Sequence, residues 1–149
     1  MLPNDPMDLR RQLAVLHLAL CLGCAAFMGV TAFLWSTGTV PLSERDVPEG
    51  LSTAAVAIAA GLPLLAMVLF RQRIRNASPG GVPPAQELLV RGACVLHWAL
   101  IEVALFFNLI VFMLHADTMH WGIAAALLCL MVLRAPTERR MQRWTTGTP

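Results

Sequence analysis

Between Arg91 and His115 the chain holds a single charged side chain, Glu102, inside the apolar run Gly92–Leu114 (GACVLHWALIEVALFFNLIVFML). A run of that length crosses about 30 Å of hydrocarbon as a helix. Glu102 lies eleven residues past Arg91, which at a rise of ~1.5 Å per residue puts it roughly 16 Å deep, near the bilayer midplane. Insertion tolerates it, because the Leu, Ile, Val and Phe residues contribute about −0.3 to −0.6 kcal/mol each against about +3 for one central acidic group. The carboxylate must still face the bundle or a water-filled path, and an intramembrane ionisable residue is by default a functional candidate.

The rest of the chain repeats the pattern. Leu13–Trp35, Leu51–Phe70 and Met119–Leu133 are also apolar, and of 149 residues 57% are hydrophobic and 13% charged. A soluble domain of this size cannot hide so much apolar surface, so the excess faces lipid. The fold expected is all-α, a four-helix transmembrane bundle running up-down-up-down, with helices about 13–35, 51–70, 88–114 and 119–133. Residues 134–149 form a cytoplasmic interfacial tail, and the whole is one integral membrane domain. The fourth run is short and must borrow polar neighbours or thin the membrane locally. A cleaved signal peptide fits the first run poorly: the run is too long and no A-x-A-like site follows. Leu18-Ala19-Leu20-Cys21 also lacks the small residue a lipoprotein cysteine requires.

Orientation follows from arginine. Arg10, Arg11, Arg71, Arg73, Arg75, Arg91, Arg134, Arg139, Arg140 and Arg143 fall on one side, and Arg45 alone on the other, beside Glu44, Asp46 and Glu49. The positive-inside rule puts both termini and the middle loop in the cytoplasm, as in a multi-pass protein of the cell (inner) membrane. Trp35 and Trp121 sit at the outer ends of their helices and Trp144 just past the inner end of the fourth, an aromatic belt. A formal net charge of +2 reflects this asymmetry and gives no argument for nucleic acid. In the tail, Thr137 is the expected N-cap of a short interfacial helix over Pro136–Trp144. Ala19/Gly23, Ala25/Gly29 and Ala57/Gly61 are small pairs at i, i+4 that favour close helix contact and oligomers, and Pro63 is expected to kink the second helix.

A carboxyl at the depth of Glu102, with no Lys or Arg at that level, is cheapest as a neutral acid, and can take up and release a proton or cation as its surroundings wet and dry. The alternative is a structural, protonated glutamate bonded to a backbone carbonyl or a hydroxyl. Ala99-Leu100-Ile101-Glu102-Val103-Ala104-Leu105 followed by Phe107-Asn108-Leu109-Ile110-Val111 resembles the carboxylate-bearing outer helix of the ATP synthase c-subunit (proteolipid) family. In that family an A-L-x-E-A pattern holds the ion-carrying carboxylate and a basic polar loop precedes the helix; Arg75-Asn76 and Gln86 stand in the corresponding loop here. The resemblance implies an ion-binding role for Glu102 and covers Arg91–Leu114. Leu51–Phe70, with only Gly61 and Pro63, departs from that family's glycine-rich inner helix. The chain also resembles small four-helix bacterial membrane proteins with an A-L-x-E third helix, which implies no activity.

Other polar residues are few. His17 and His97 lie six residues beyond Arg11 and Arg91, at about 9 Å depth in two outward-running helices. Equal depth allows two readings: axial ligands of a b-type haem, or polar partners of Glu102. Asn108 shares a face with His97 and is a candidate interhelical donor. His115, Asp117 and His120 are close enough in sequence to bind a metal at the outer surface, or simply to be solvated there. Cys21, Cys24, Cys94 and Cys129 read as small apolar packing residues; Cys21-Leu22-Gly23-Cys24 is C-x-x-C in form, but neither outer loop supplies the partner cysteines of a membrane thiol oxidase. No phosphate loop, nucleophile triad or zinc protease helix is legible, so no enzyme is expected. The partners expected are the lipid bilayer and either a homo-oligomer or a larger membrane complex. Three functions follow: proton or cation handling through Glu102, a structural or accessory subunit, or a small cytochrome.

Overall fold

A computed structural model describes residues 6–40, 48–76, 83–137 and 139–140. Their regular secondary structure is four long helices: α1 (Pro6–Ser36), α2 (Glu49–Asn76), α3 (Pro83–His115) and α4 (Thr118–Leu133). The all-α expectation is met, and Leu9–Ser36, Gly50–Arg75 and Glu87–His115 are each long and apolar enough to cross a membrane. Thr118–Leu133 is apolar but shorter.

The helices overrun their apolar segments. α1 extends back through Arg10 and Arg11, α2 forward through Arg71, Arg73 and Arg75, and α3 begins before Arg91. Hydropathy marks where lipid would end, whereas a helix satisfies its own backbone and continues while long arginine stems reach outward. Pro6 and Pro83 stand at first helical positions, where a missing N–H costs nothing. Pro63 lies within α2 and cannot donate to the carbonyl of Ala59, yet the helix continues through it.

The ends are capped by identifiable groups. α1 closes on Gly38 at φ 72°, with Thr39 N–H donating to the Leu34 carbonyl at 2.9 Å and Gly38 N–H to that of Trp35 at 3.1 Å, a Schellman motif. The α3–α4 connection turns on Ala116, at φ 55°, whose N–H donates to Phe112 O at 2.8 Å. Asp117 then caps α4, its carboxylate accepting from Met119 N–H at 2.9 Å. At the other end of α4 the Arg140 guanidinium donates to the carbonyls of Leu133 and Ala135. The expected tail helix beyond Arg140 lies outside the described residues.

α3 is the hub: α2, α4 and α1 all pack on it, while α1 and α2 barely meet among the described residues. Val90, Cys94, Trp98, Ile101, Ala104, Leu105 and Leu109 of α3 are buried with Leu13 and Cys24 of α1 and Ala124 and Met131 of α4. The outward faces are apolar: Leu18, Leu22 and Phe33 of α1 and Leu64 of α2 are 58–66% exposed. Surface of that kind is expensive in water and suits lipid.

The small-residue pairs are placed otherwise than expected. Ala19, Gly23, Ala25, Gly29, Ala57 and Gly61 are all exposed. A Cβ added at Gly23, Gly29 or Gly61 would meet nothing within 4 Å. The small residues at the helix contacts inside the chain are others, Ala55 and Ala66 of α2 with Ala93 and Ala104 of α3 and Ala124 of α4, while these pairs point outward.

Candidate functional site

Two polar constellations lie along α3. The first follows the seam with α1, where aromatic pairs mark successive levels. His17 packs on Trp98 with ring centroids 4.7 Å apart, Phe27 on Phe106 at 5.2 Å, and Trp35 on Phe112 at 6.3 Å. These pairs ascend both helices together, so α1 and α3 run the same way. Trp98, Glu102 and Phe106 are spaced i, i+4, i+8, which places Glu102 between the first two levels on the edge facing α1. The buried Cys24 thiol of α1 is near enough to feel the Glu102 charge. His17 Nε2 lies 3.6 Å from Cys21 Sγ, one turn nearer the start of α1. Glu102 itself is partly exposed, and among the described residues no group donates a hydrogen bond to its carboxylate.

None of His17, His97 and Asn108 hydrogen-bonds to Glu102. His97 turns to α2, where its ring packs on Phe70 at 5.5 Å. The Ala66 carbonyl approaches it, though neither ring nitrogen makes a well-formed hydrogen bond. With His17 stacked on Trp98 and His97 set against Phe70 of another helix, the two imidazoles face different neighbours. They do not present an axial pair to a haem plane, and the residues do not fit a b-type haem.

The second constellation lies where α2 and α4 begin and α3 nears its end. Asn108 is fully buried and uses both amide protons, donating from Nδ2 to Ala104 O at 2.9 Å and across to Ala55 O of α2 at 3.2 Å. Its Oδ1 therefore faces His120 Nδ1, 3.0 Å away, which must carry the proton. In the neutral imidazole this leaves the Nε2 lone pair to accept from Ser52 Oγ, at 2.7 Å. The chain Ser52–His120–Asn108–Ala55 joins α2, α4 and α3. Asn108 is thus the interhelical donor its position suggested.

His120 corrects the sequence reading. It is wholly buried, and the Asp117 carboxylate is spent on the α4 cap. No group of three His, Cys, Asp or Glu residues among those described is arranged to hold a metal ion, so His115, Asp117 and His120 do not form one. Placed second in the apolar run Met119–Leu133, beside His115 and Asp117, His120 reads as solvated at the outer surface. Its place on the same α4 face as Ala124 and Leu127, spaced i+4 and i+7, was the signal that it points inward. Ser52 carries no signal of its own in the sequence, since a lone serine near a helix start commonly serves as a cap. The four cysteines are unpaired thiols. A cavity of about 170 Å³ lined by Ala32, Trp35, Phe112, Thr118 and Trp121 opens at the same end of the bundle.

No protein-family model, curated protein or solved structure matches the chain.

Proposed function

We propose that the chain is a multi-pass protein of the cell (inner) membrane, crossing it four times up-down-up-down with both ends cytoplasmic. In this reading Glu102 is a protonatable site for proton or cation handling, either alone or within a larger ion-coupled complex. Three helices of spanning length, their exposed apolar faces and the one-sided arginines support the membrane assignment. α4, at ~1.5 Å per residue, is about 24 Å long and needs a locally thinned bilayer or its polar flanks to complete a span.

The observation that carries the ion reading is the uncommitted state of the Glu102 carboxylate. Thr31, Ser52, Asn108 and His120 all have hydrogen bonds. Glu102 has none among the described residues, yet it is partly open to the surroundings at mid-depth. His17, Cys21 and Cys24 follow the same seam from the cytoplasmic third toward it, a polarisable edge along an otherwise apolar interface. The resemblance of Arg91–Leu114 to the carboxylate-bearing proteolipid helix points the same way.

The test is labelling in lipid with a hydrophobic carbodiimide, read at Glu102 by mass spectrometry from pH 5 to 9. Modification that declines as pH rises, or that a particular cation blocks, supports ion handling. No modification at any pH in the folded protein refutes it. The structural or accessory reading is then favoured, since the Ser52–His120–Asn108 chain ties three helices whatever Glu102 does. Glu102→Gln gives a second separation, because loss of coupling with an intact fold is expected only of an ion site.

A further inference from the structure

We infer that Ser52, His120 and Asn108 form a nucleophilic triad that cleaves acyl esters of lipids at the outer membrane boundary. The inference rests on hydrogen-bond directions rather than on closeness alone. A serine hydroxyl becomes nucleophilic when a neutral imidazole accepts its proton, and the imidazole accepts through Nε2 only if its Nδ1 proton is held by a third group. Ser52 Oγ to His120 Nε2 is 2.7 Å and His120 Nδ1 to Asn108 Oδ1 is 3.0 Å, both within catalytic reach. An asparagine in the third position fails when its NH₂ turns to the imidazole and selects the wrong tautomer. Here that NH₂ is committed to the Ala104 and Ala55 carbonyls, so only Oδ1 is available. Asn108 is a positioning residue, His120 the base and Ser52 the nucleophile.

Burial divides in the way the chemistry needs. His120 and Asn108 are fully buried, which fixes the imidazole against its acceptor, whereas Ser52 is partly exposed beside the exposed Gly50 and Thr53. Ser52 also lies in the first turn of α2, where the positive end of the helix favours a developing oxyanion. Trp35 and Trp121 lie at the same end of the bundle and line its cavity. Tryptophans mark the headgroup level of a membrane, which is where the ester bonds of lipids lie. This choice of substrate rests on the membrane reading above; the triad geometry does not.

The steps balance. Ser52 Oγ attacks the ester carbonyl carbon while its proton passes to His120 Nε2, and the carbonyl π pair moves onto oxygen. The tetrahedral intermediate collapses, the C–OR bond breaks, and the Nε2 proton leaves with the alkoxide as an alcohol. Water then adds to the acyl-serine, giving one proton to His120, and collapse expels Ser52 Oγ, which recovers that proton. The sum is ester and water to acid and alcohol.

The test uses a long-chain alkyl fluorophosphonate on the full chain in detergent and in phospholipid vesicles, with adducts located by mass spectrometry. Ser36, an exposed serine at the same end of the bundle, is the internal control. Ser52 is expected to react at least about 100-fold faster than Ser36, the usual scale of general-base assistance. Its rate is expected to rise with pH as an imidazole deprotonates. His120→Gln, whose amide keeps both hydrogen bonds but is no base, is expected to abolish that advantage and its pH dependence. In the vesicles, para-nitrophenyl decanoate is expected to be cleaved by the wild-type chain and not by Ser52→Ala. Overturning results are equal labelling of Ser52 and Ser36, an undiminished rate in His120→Gln, or ester cleavage that survives Ser52→Ala. Labelling in detergent alone would keep the triad and overturn the membrane placement. Glu102 is unaltered in both variants, so neither result bears on the ion reading.

Discussion

Replacing Asn108 by leucine keeps the side-chain volume and removes the three hydrogen bonds that Asn108 makes at the junction of α2, α3 and α4. Two of those bonds are interhelical, to the Ala55 carbonyl and to His120 Nδ1. Interhelical bonds in membrane bundles average about 0.6 kcal/mol and reach about 1.7. The larger loss is His120 Nδ1–H, left buried without an acceptor at a cost of about 1–3 kcal/mol. Together these give roughly 2–4 kcal/mol, or about a 30- to 1,000-fold shift in the unfolding equilibrium. Thr31→Val is the matched control: Thr31 is equally buried, but its hydroxyl donates only within its own helix, to Met28 O at 2.8 Å. Reversible denaturation of both variants in bicelles measures the difference. If Asn108→Leu costs no more than Thr31→Val, the chain does not tie the helices and the buried-donor argument fails.

Three further outcomes follow from the geometry. Ala116→Gly is expected to raise stability by up to about 1 kcal/mol, because alanine at φ 55° carries a left-handed penalty that glycine lacks; thermal unfolding checks the sign. Asp117→Ala removes the α4 cap and is expected to cost about 1 kcal/mol, while Asp117→Asn retains most of it. Gly23→Leu meets empty space within the chain, so its folding free energy is expected to change by less than about 0.5 kcal/mol. If copies associate through that face, crosslinking or single-molecule counting in vesicles will show dissociation.

Helix number and type were legible because three of the four apolar runs are long and polar or charged residues separate them, with His115 to Asp117 dividing the third from the shorter fourth. The ends of the helices were not, since hydropathy reports lipid contact and not backbone hydrogen bonding; Arg71, Arg73 and Arg75 remain helical. Glu102 stands out in any hydropathy profile. His120 and Ser52 do not, because their meeting depends on two helix starts being brought beside the end of α3, a relation across 68 residues of separation. The equal depths of His17 and His97 were readable from sequence, but the side of α3 each faces is set by rotation about helix axes. The small-residue pairs mislead for a similar reason: spacing finds a face without showing which way it points.

Because α1 touches the rest of the molecule mainly through α3, synthesis imposes a wait on it. The first helix leaves the ribosome well before its partner and must reside in the bilayer as an isolated span until Trp98, Phe106 and Phe112 arrive. α2, α3 and α4 become joined only once His120, near the start of the last helix, has emerged. A chain stalled before that point would hold α1 and α2 packed on α3 with the α4 face of α3 still uncovered. The last helix is thus the shortest of the four and the one whose arrival closes the assembly.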